Sequence, residues 1–139
     1  MYPVIASEFE NKYIVEYDVK LLRSSKKIID IVCLEKGYPN KKNPELIAIE
    51  VKLKDWKRVI KQAFSRLFVA DKVYIALYEN AIPDSLLENN AINNNNIGII
   101  SVNDEANIIV EAKESEFTMQ NRKKYIIDTM IENNSKHGD

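Results

Sequence analysis

Two apolar segments of this chain carry charged residues near their centres, and this feature constrains the fold and the function most. Asp30 lies in the run Ile28–Leu34, and Glu50 and Lys52 lie in the run Leu46–Leu53. Both runs are short, rich in Ile and Val, and bounded by polar or turn-forming residues, which is typical of β-strands. A charge inside a strand otherwise built for burial is costly unless it is paired or binds a metal. The sequence therefore predicts a partner or a function for these three side chains.

Length and composition favour one domain, which we place at residues 1–134 and follow with a frayed tail at 135–139. The 20 basic and 21 acidic residues nearly cancel, so any nucleic-acid binding must come from a local patch. The single cysteine, Cys33, excludes an internal disulfide and is expected in the core. No signal peptide is recognisable, and no apolar run approaches the roughly 20 residues that span a bilayer. A cytoplasmic protein with no membrane partner is expected.

Hydrophobic periodicity predicts an α/β fold with a mixed central sheet flanked by helices. Asp55 is the expected N-cap of a long amphipathic helix, and the run Asn93–Asn96 is expected to be a loop. Strand, helix and strand over residues 45–78 predict a right-handed parallel crossover. The predicted helices cover about 3–12, 55–70, 84–89 and 120–132, and the predicted strands cover 13–22, 27–35, 45–53, 72–78, 97–102 and 107–110.

The three charges suit a site that cleaves phosphodiester bonds. Mg²⁺ (or Mn²⁺) prefers carboxylate and water oxygens and usually takes one or two protein carboxylates. Asp30 and Glu50 on adjacent strands would be suitable ligands, aided by the Val51 carbonyl. Lys52 lies two residues after Glu50 and so projects from the same face of the strand, where its ammonium would stand beside the water or the phosphate. All three groups meet at one site if the two strands pair.

The tripeptide Glu-x-Lys is weak evidence by itself, because it also occurs at Glu10–Lys12 and Glu111–Lys113. The first of these copies ends a predicted helix. The copy at Glu111–Lys113 follows a strand, but no long helix comes after it, and whether Glu111 and Lys113 matter stays open. Only the central copy has an acid inside the preceding strand and an amphipathic helix directly after it.

The central segments resemble the core of the PD-(D/E)XK nuclease superfamily, which includes restriction endonucleases, archaeal Holliday-junction resolvases and RecB-type nuclease domains. The resemblance covers residues 13–78 and is carried by the order of strand, loop, strand, helix and strand. It is clearest in the stretches Ile47–Leu53, Lys61–Ala63 and Ala70–Leu77, which are similar to small uncharacterised prokaryotic members.

The resemblance implies a restriction-endonuclease-like core and a magnesium-dependent endonuclease that hydrolyses DNA. It implies Asp30 and Glu50 as metal ligands, Lys52 as the catalytic lysine and Gln62 as a supporting helix residue. Some members add an acid from an upstream element, and Glu8 and Glu16 are both open for that role. The RecB-type branch has a tyrosine four residues after the helix glutamine, and this chain has arginine there.

Basic residues of the helix after Lys52 could contact a phosphate backbone, although most such residues are simply solvated. These residues are Lys54, Lys57, Arg58, Lys61 and Arg66. Trp56 is expected to be a core residue rather than a platform for bases.

Other interpretations remain beside the nuclease. Glu50 and Lys52 by themselves would be an ordinary cross-strand ion pair on a solvated face. A catalytically silent module that binds nucleic acid or a protein partner is the main alternative function. A chain this short has few additions to read base edges, so structure- or end-selective cutting of DNA is favoured over sequence-specific cutting. A homodimer would suit cleavage of two strands, but no sequence feature demonstrates one.

Overall fold

A computed structural model describes residues 1–22, 26–38, 40–52 and 56–137, with side chains up to Asn133. Its strands are β1 (Tyr13–Lys20), β2 (Ile28–Glu35), β3 (Leu46–Lys52), β4 (Lys72–Tyr78), β5 (Gly98–Val102) and β6 (Ala106–Val110). Its helices are α1 (Tyr2–Ser7), α2 (Trp56–Arg66), α3 (Asp84–Leu87), α4 (Asn90–Asn94) and α5 (Gln120–His137), with a 3₁₀ turn at Glu79–Ala81. None of the helices in these ranges is long and apolar enough to cross a membrane.

The strands form one six-stranded sheet whose spatial order is the chain order, β1 to β6. β1, β2 and β3 pair antiparallel, β3, β4 and β5 pair parallel, and β6 returns antiparallel to β5. The parallel pairing of β3 and β4 requires a crossover, and α2 supplies it. The predicted mixed α/β sheet with flanking helices is therefore confirmed.

A hydrophobic core lies on each face of the sheet. On one face, α2 and α5 pack on residues such as Leu46 and Ala48 of β3. On the other face, α1 packs on residues such as Ile47 and Ile49. Since successive side chains of a strand point to opposite faces, Glu50 follows Ala48 onto the face covered by α2. Cys33 is fully buried in the α1 core, as the sequence predicts.

Several helix boundaries differ from the sequence prediction. α2 ends at Arg66 rather than at residue 70, and the predicted cap Asp55 lies outside the described residues. α5 continues to His137, so the tail predicted to fray from residue 135 begins within a helix. α1 is shorter than predicted and ends at Ser7.

The asparagine-rich segment was predicted as a loop, and this prediction is wrong for its first half. The short helix α4 occupies Asn90–Asn94. The side chain of Asn89 caps it by accepting a hydrogen bond from the backbone N–H of Ile92, and Ile92 itself is fully buried. A cap and one buried anchor offset the low helix propensity of asparagine.

Candidate active site

Asp30 and Glu50 face each other where β2 and β3 separate. The last pair of the ladder is Ile31 with Ile49, and the next row of the same register sets Asp30 opposite Glu50. Beyond that row the Asp30 side chain still links the two strands, because its Oδ2 accepts a hydrogen bond from the backbone N–H of Val51 at 2.8 Å. The pairing of β2 and β3, on which the predicted site depended, is confirmed, and it brings the two acids together.

Glu50 is buried and makes an ion pair with Arg66. Glu50 is 1 % exposed and Arg66 is 4 % exposed, and Arg66 Nε lies 2.6 Å from Glu50 Oε1. The same guanidinium donates to Ser65 Oγ at 2.7 Å and to the Ile28 carbonyl at 2.8 Å. Arg66 therefore joins the end of α2 to the start of β2 and to the acid pair.

This arrangement excludes one alternative and corrects one expectation. Glu50 is not paired with Lys52 on a solvated face; its partner is an arginine of α2 in the interior. Arg66 is not an exposed phosphate contact either, because it points into the sheet. Sequence spacing carried the signal, since Arg66 follows the buried residues Val59 and Ala63 by seven and three positions and shares their helical face.

Burial and charge act in opposite directions on Glu50. The pKa of Glu50 is raised to about 8 as the net result of three main influences: burial raises it most, the Arg66 guanidinium lowers it, and the Asp30 charge raises it. The carboxyl group is thus poised near neutral pH, where modest changes in its surroundings alter its charge. Perturbed acids of this kind are concentrated at functional sites, although structural ion pairs produce them too.

Tyr2 is a site residue that sequence reasoning missed. Its ring packs edge-on against Tyr17 with centroids 5.3 Å apart. Its pKa is raised first by burial, then by the charges of Asp30 and Asp18, a hydrogen bond with Asp30 and the charge of Glu50. The Tyr2 hydroxyl therefore lies beside the acid pair. No spacing rule relates residue 2 to residue 30, so only the fold reveals this contact.

An open cleft of about 440 Å³ runs beside Asp30. Its walls are formed by Lys26, Lys27, Ile28, Asp30, Lys61, Gln62, Ser65 and Arg66. Four of these side chains are cationic and one is acidic, so the cleft favours an anionic ligand although the chain as a whole is nearly neutral. The structure brings Gln62 to the same cleft as Asp30. Lys52 is half-buried and follows Glu50 on its face, but it is not part of the cleft lining.

The remaining basic residues of α2 are only partly arranged around the cleft. Lys61 lines it, whereas Lys57 and Arg58 are exposed at the beginning of the helix. Lys57 lies over the ring of Trp56, with its Nζ 5.9 Å from the centroid, and Trp56 packs against the α2 core as expected. Lys54 lies outside the described residues.

The upstream acids differ in position. Glu16 pairs with Val32 and accepts a hydrogen bond from Asn133 Nδ2 at 3.3 Å, so it is engaged with α5. The β1–β2 register places Asp18 in the row of Asp30, between the pairs Tyr17–Ile31 and Val19–Ile29. Asp18 adopts a positive φ of 54°. Glu8 is exposed at the end of α1.

The Glu-x-Lys copy at Glu111–Lys113 is engaged elsewhere. Glu111 accepts a hydrogen bond from the Tyr74 hydroxyl at 3.1 Å, and Tyr74 belongs to the core under α1. The backbone N–H of Lys113 donates to the Asn96 carbonyl at 3.0 Å. These contacts give the copy a structural explanation.

The number of carboxylates in the acid pair fits a divalent cation such as Mg²⁺. Two adjacent carboxylates are the number that Mg²⁺ commonly takes from a protein. Within the described ranges, however, no group of three or more His, Cys, Asp or Glu side chains could hold a metal. Glu50 Oε1 is also engaged with Arg66. A cation at Glu50 would therefore share this carboxylate with Arg66 or displace the guanidinium from it.

Comparison with known proteins identifies the fold alone. No protein-family model matches the chain, and no curated protein matches it. A solved structure of a protein of unknown function from Silicibacter pomeroyi superposes with a TM-score of 0.66 at 17 % sequence identity. The match covers 92 % of this chain and 78 % of that one. At this identity the two proteins share a fold, and neither supplies an activity for the other.

Proposed function

We propose that the protein is a metal-dependent nuclease that hydrolyses DNA phosphodiester bonds. The observation that carries the proposal is the placement of Asp30 and Glu50 in one row of the sheet, at the point where β2 and β3 separate beside a basic cleft. The elements β2, β3, α2 and β4 follow in the order on which the resemblance to PD-(D/E)XK nucleases rests. A restriction-endonuclease-like core is part of this proposal.

The cleft supports an anionic polymer as the ligand. Lys26 and Lys61 line it together with Gln62 and Ser65, which combines positive charge with hydrogen-bonding groups that suit phosphate oxygens. Lys57 and Arg58 extend the positive charge along α2 toward its start. Because contacts to the phosphate backbone carry no sequence information directly, we propose structure- or end-selective cutting rather than recognition of a sequence.

Each site residue has a distinct part in this reaction. Asp30, Glu50 and the Val51 carbonyl would hold the divalent ion, which supplies charge stabilisation to the phosphate. Lys52 presents an ammonium on the Glu50 face of β3, where it stabilises negative charge that develops on the phosphate oxygens. Gln62 supports the site from the cleft wall, where its side-chain amide can form hydrogen bonds with a ligand. Tyr2 donates its hydroxyl to Asp30 and so keeps that carboxylate in one orientation.

The test is cleavage by the purified full chain of single-stranded, duplex and four-way-junction DNA, with Mg²⁺, Mn²⁺ or EDTA. We expect cutting that requires the metal and disappears in Asp30→Asn and in Lys52→Met. Glu35→Gln is a matched control, because Glu35 Oε1 accepts the backbone N–H of Glu45 at 2.9 Å at the other end of β2. Metal-independent cutting, or cutting that survives Asp30→Asn, would refute the proposal.

One observation favours a second function, that of a catalytically silent module. Arg66 already neutralises Glu50 in the interior, so the acid pair is partly satisfied without a metal. In that case the basic cleft would bind nucleic acid, or a protein partner would cover it, without cutting. DNA binding in EDTA that Lys61→Gln weakens, together with no cleavage under any metal, would identify this function.

A further inference from the structure

We infer that Arg66 is an internal cation that competes with the divalent ion for Glu50, and so regulates metal loading of the site. The inference rests on the proposed function and adds a residue that neither the motif nor the resemblance assigns to metal binding. It predicts that opening the Arg66–Glu50 ion pair is a step of metal binding.

The contact between the two side chains is direct. Arg66 Nε donates to Glu50 Oε1 at 2.6 Å, and both side chains are almost completely buried. A divalent cation that takes Glu50 as a ligand needs the same negative charge. Because like charges repel strongly where water is largely excluded, the guanidinium at Oε1 opposes a divalent ion at the same carboxylate, and moving the guanidinium away relieves this repulsion.

The cleft beside Asp30 offers the Arg66 guanidinium a position outside the ion pair. Although it is buried, its side chain forms part of the wall of the cleft beside Asp30. Its other two partners, Ser65 Oγ and the Ile28 carbonyl, belong to residues of the same wall. A rotation of the guanidinium away from Glu50 therefore keeps it at the edge of the cleft, where it adds to the positive charge that faces a ligand.

A purely structural role for Arg66 makes a different prediction, and the fold contains a matched control. Lys123 is 3 % exposed and pairs with Asp71 at 2.8 Å, so it is a second buried cation paired with an acid. It donates as well to Asn43 at 2.9 Å and lies at the opposite end of β3 from the acid pair. Replacing either cation should lower stability, but only the loss of Arg66 should strengthen metal binding.

The experiment is calorimetric titration of the full chain with Mn²⁺ alone, for the wild type, Arg66→Gln, Arg66→Lys and Lys123→Gln. We expect Arg66→Gln to bind Mn²⁺ at least about tenfold more tightly than the wild type, because a repelling unit charge next to a divalent ion is removed. Arg66→Lys keeps a cation at this position and should stay within about threefold of the wild type. Lys123→Gln should leave the affinity unchanged.

The outcomes separate this inference from the proposed function. Equal or weaker binding by Arg66→Gln overturns the inference, while Mn²⁺ binding by the wild type still supports the nuclease. Binding by Arg66→Gln alone supports the inference and refutes the nuclease, since Arg66 then replaces the metal. No binding by either protein refutes both. If Arg66→Gln does not fold without metal, the inference requires Mn²⁺ to restore the fold, and failure to do so overturns it.

Discussion

Asp30 has two separable roles, and two substitutions distinguish them. Its Oδ2 accepts the backbone N–H of Val51 at 2.8 Å, while its charge lies next to Glu50 and raises the pKa of that group. Asp30→Asn can retain an acceptor for Val51 but removes the charge. Asp30→Ala removes both. The comparison therefore measures the hydrogen bond and the charge independently.

The magnitudes follow from these contacts. Leaving the Val51 N–H without its acceptor costs about 1–3 kcal/mol, and relieving the repulsion between two partly buried acids returns about 1 kcal/mol. Without metal at pH 8.5, we expect Asp30→Asn to be as stable as the wild type or about 1 kcal/mol more stable. Asp30→Ala should be about 1–3 kcal/mol less stable than Asp30→Asn. Both should lose metal-dependent cutting of DNA.

The assay is urea unfolding followed by circular dichroism in EDTA, with cleavage measured on the same preparations. Asp71→Asn is the control, since Asp71 makes an equivalent bond to Leu46 but also neutralises the buried Lys123. Removing its charge leaves Lys123 without its counter-ion and should cost about 3 kcal/mol. If Asp30→Asn destabilised the protein as much as Asp71→Asn does, the view of Asp30 as part of a metal-free pair of repelling acids would be refuted.

Three further predictions concern the site and the sheet. Lys52→Met should reduce the cleavage rate by at least about 100-fold while calorimetry still detects Mn²⁺ binding, and a parallel loss of metal binding would contradict the role given to Lys52. The pKa of Glu50 is about 8 in the fold against 4.5 in the reference state, so the folded state retains a proton that the unfolded state has lost. In EDTA the free energy of unfolding should therefore fall between about pH 5 and pH 8 in the wild type and fall less in Glu50→Gln, as urea titrations at several pH values will show. Gly98→Ala places a methyl carbon 2.5 Å from Tyr74 Cδ1 and 2.6 Å from the Ala112 nitrogen, which should cost about 2–3 kcal/mol by thermal unfolding; an unchanged melting temperature would contradict the packing described here.

The sheet and the acid pair were predictable because they depend on short-range patterns. Apolar runs marked the strands, and alternation within β3 placed Glu50 on one face. The pairing of Asp30 with Glu50 needed only one further assumption, that neighbouring strands in the chain are neighbours in the sheet. These rules depend on residues that are close in the sequence, and the structure agrees with them.

The partners of the acids were harder to predict because they come from distant elements. Arg66 was interpreted as a surface residue from its charge, although its spacing from Val59 and Ala63 places it on the buried face. Tyr2 belongs to α1, which precedes all the strands, and no periodic pattern in the sequence indicates its contact with Asp30. In both cases burial of a polar group is decided by a specific partner, which a single sequence does not identify.

The order of the strands has a consequence for how the chain folds. Every strand pairs with the strand before or after it in the sequence, so no strand of the sheet depends on a partner from a distant part of the chain. Each new strand can therefore add to a strand that has already been made, which limits the loop entropy lost at each step. The main exception is α5, which packs against β1 and places Asn133 next to Glu16, 117 residues earlier. The sheet can therefore assemble progressively during synthesis, whereas the core beneath α5 is completed only after the last segment has emerged and docked.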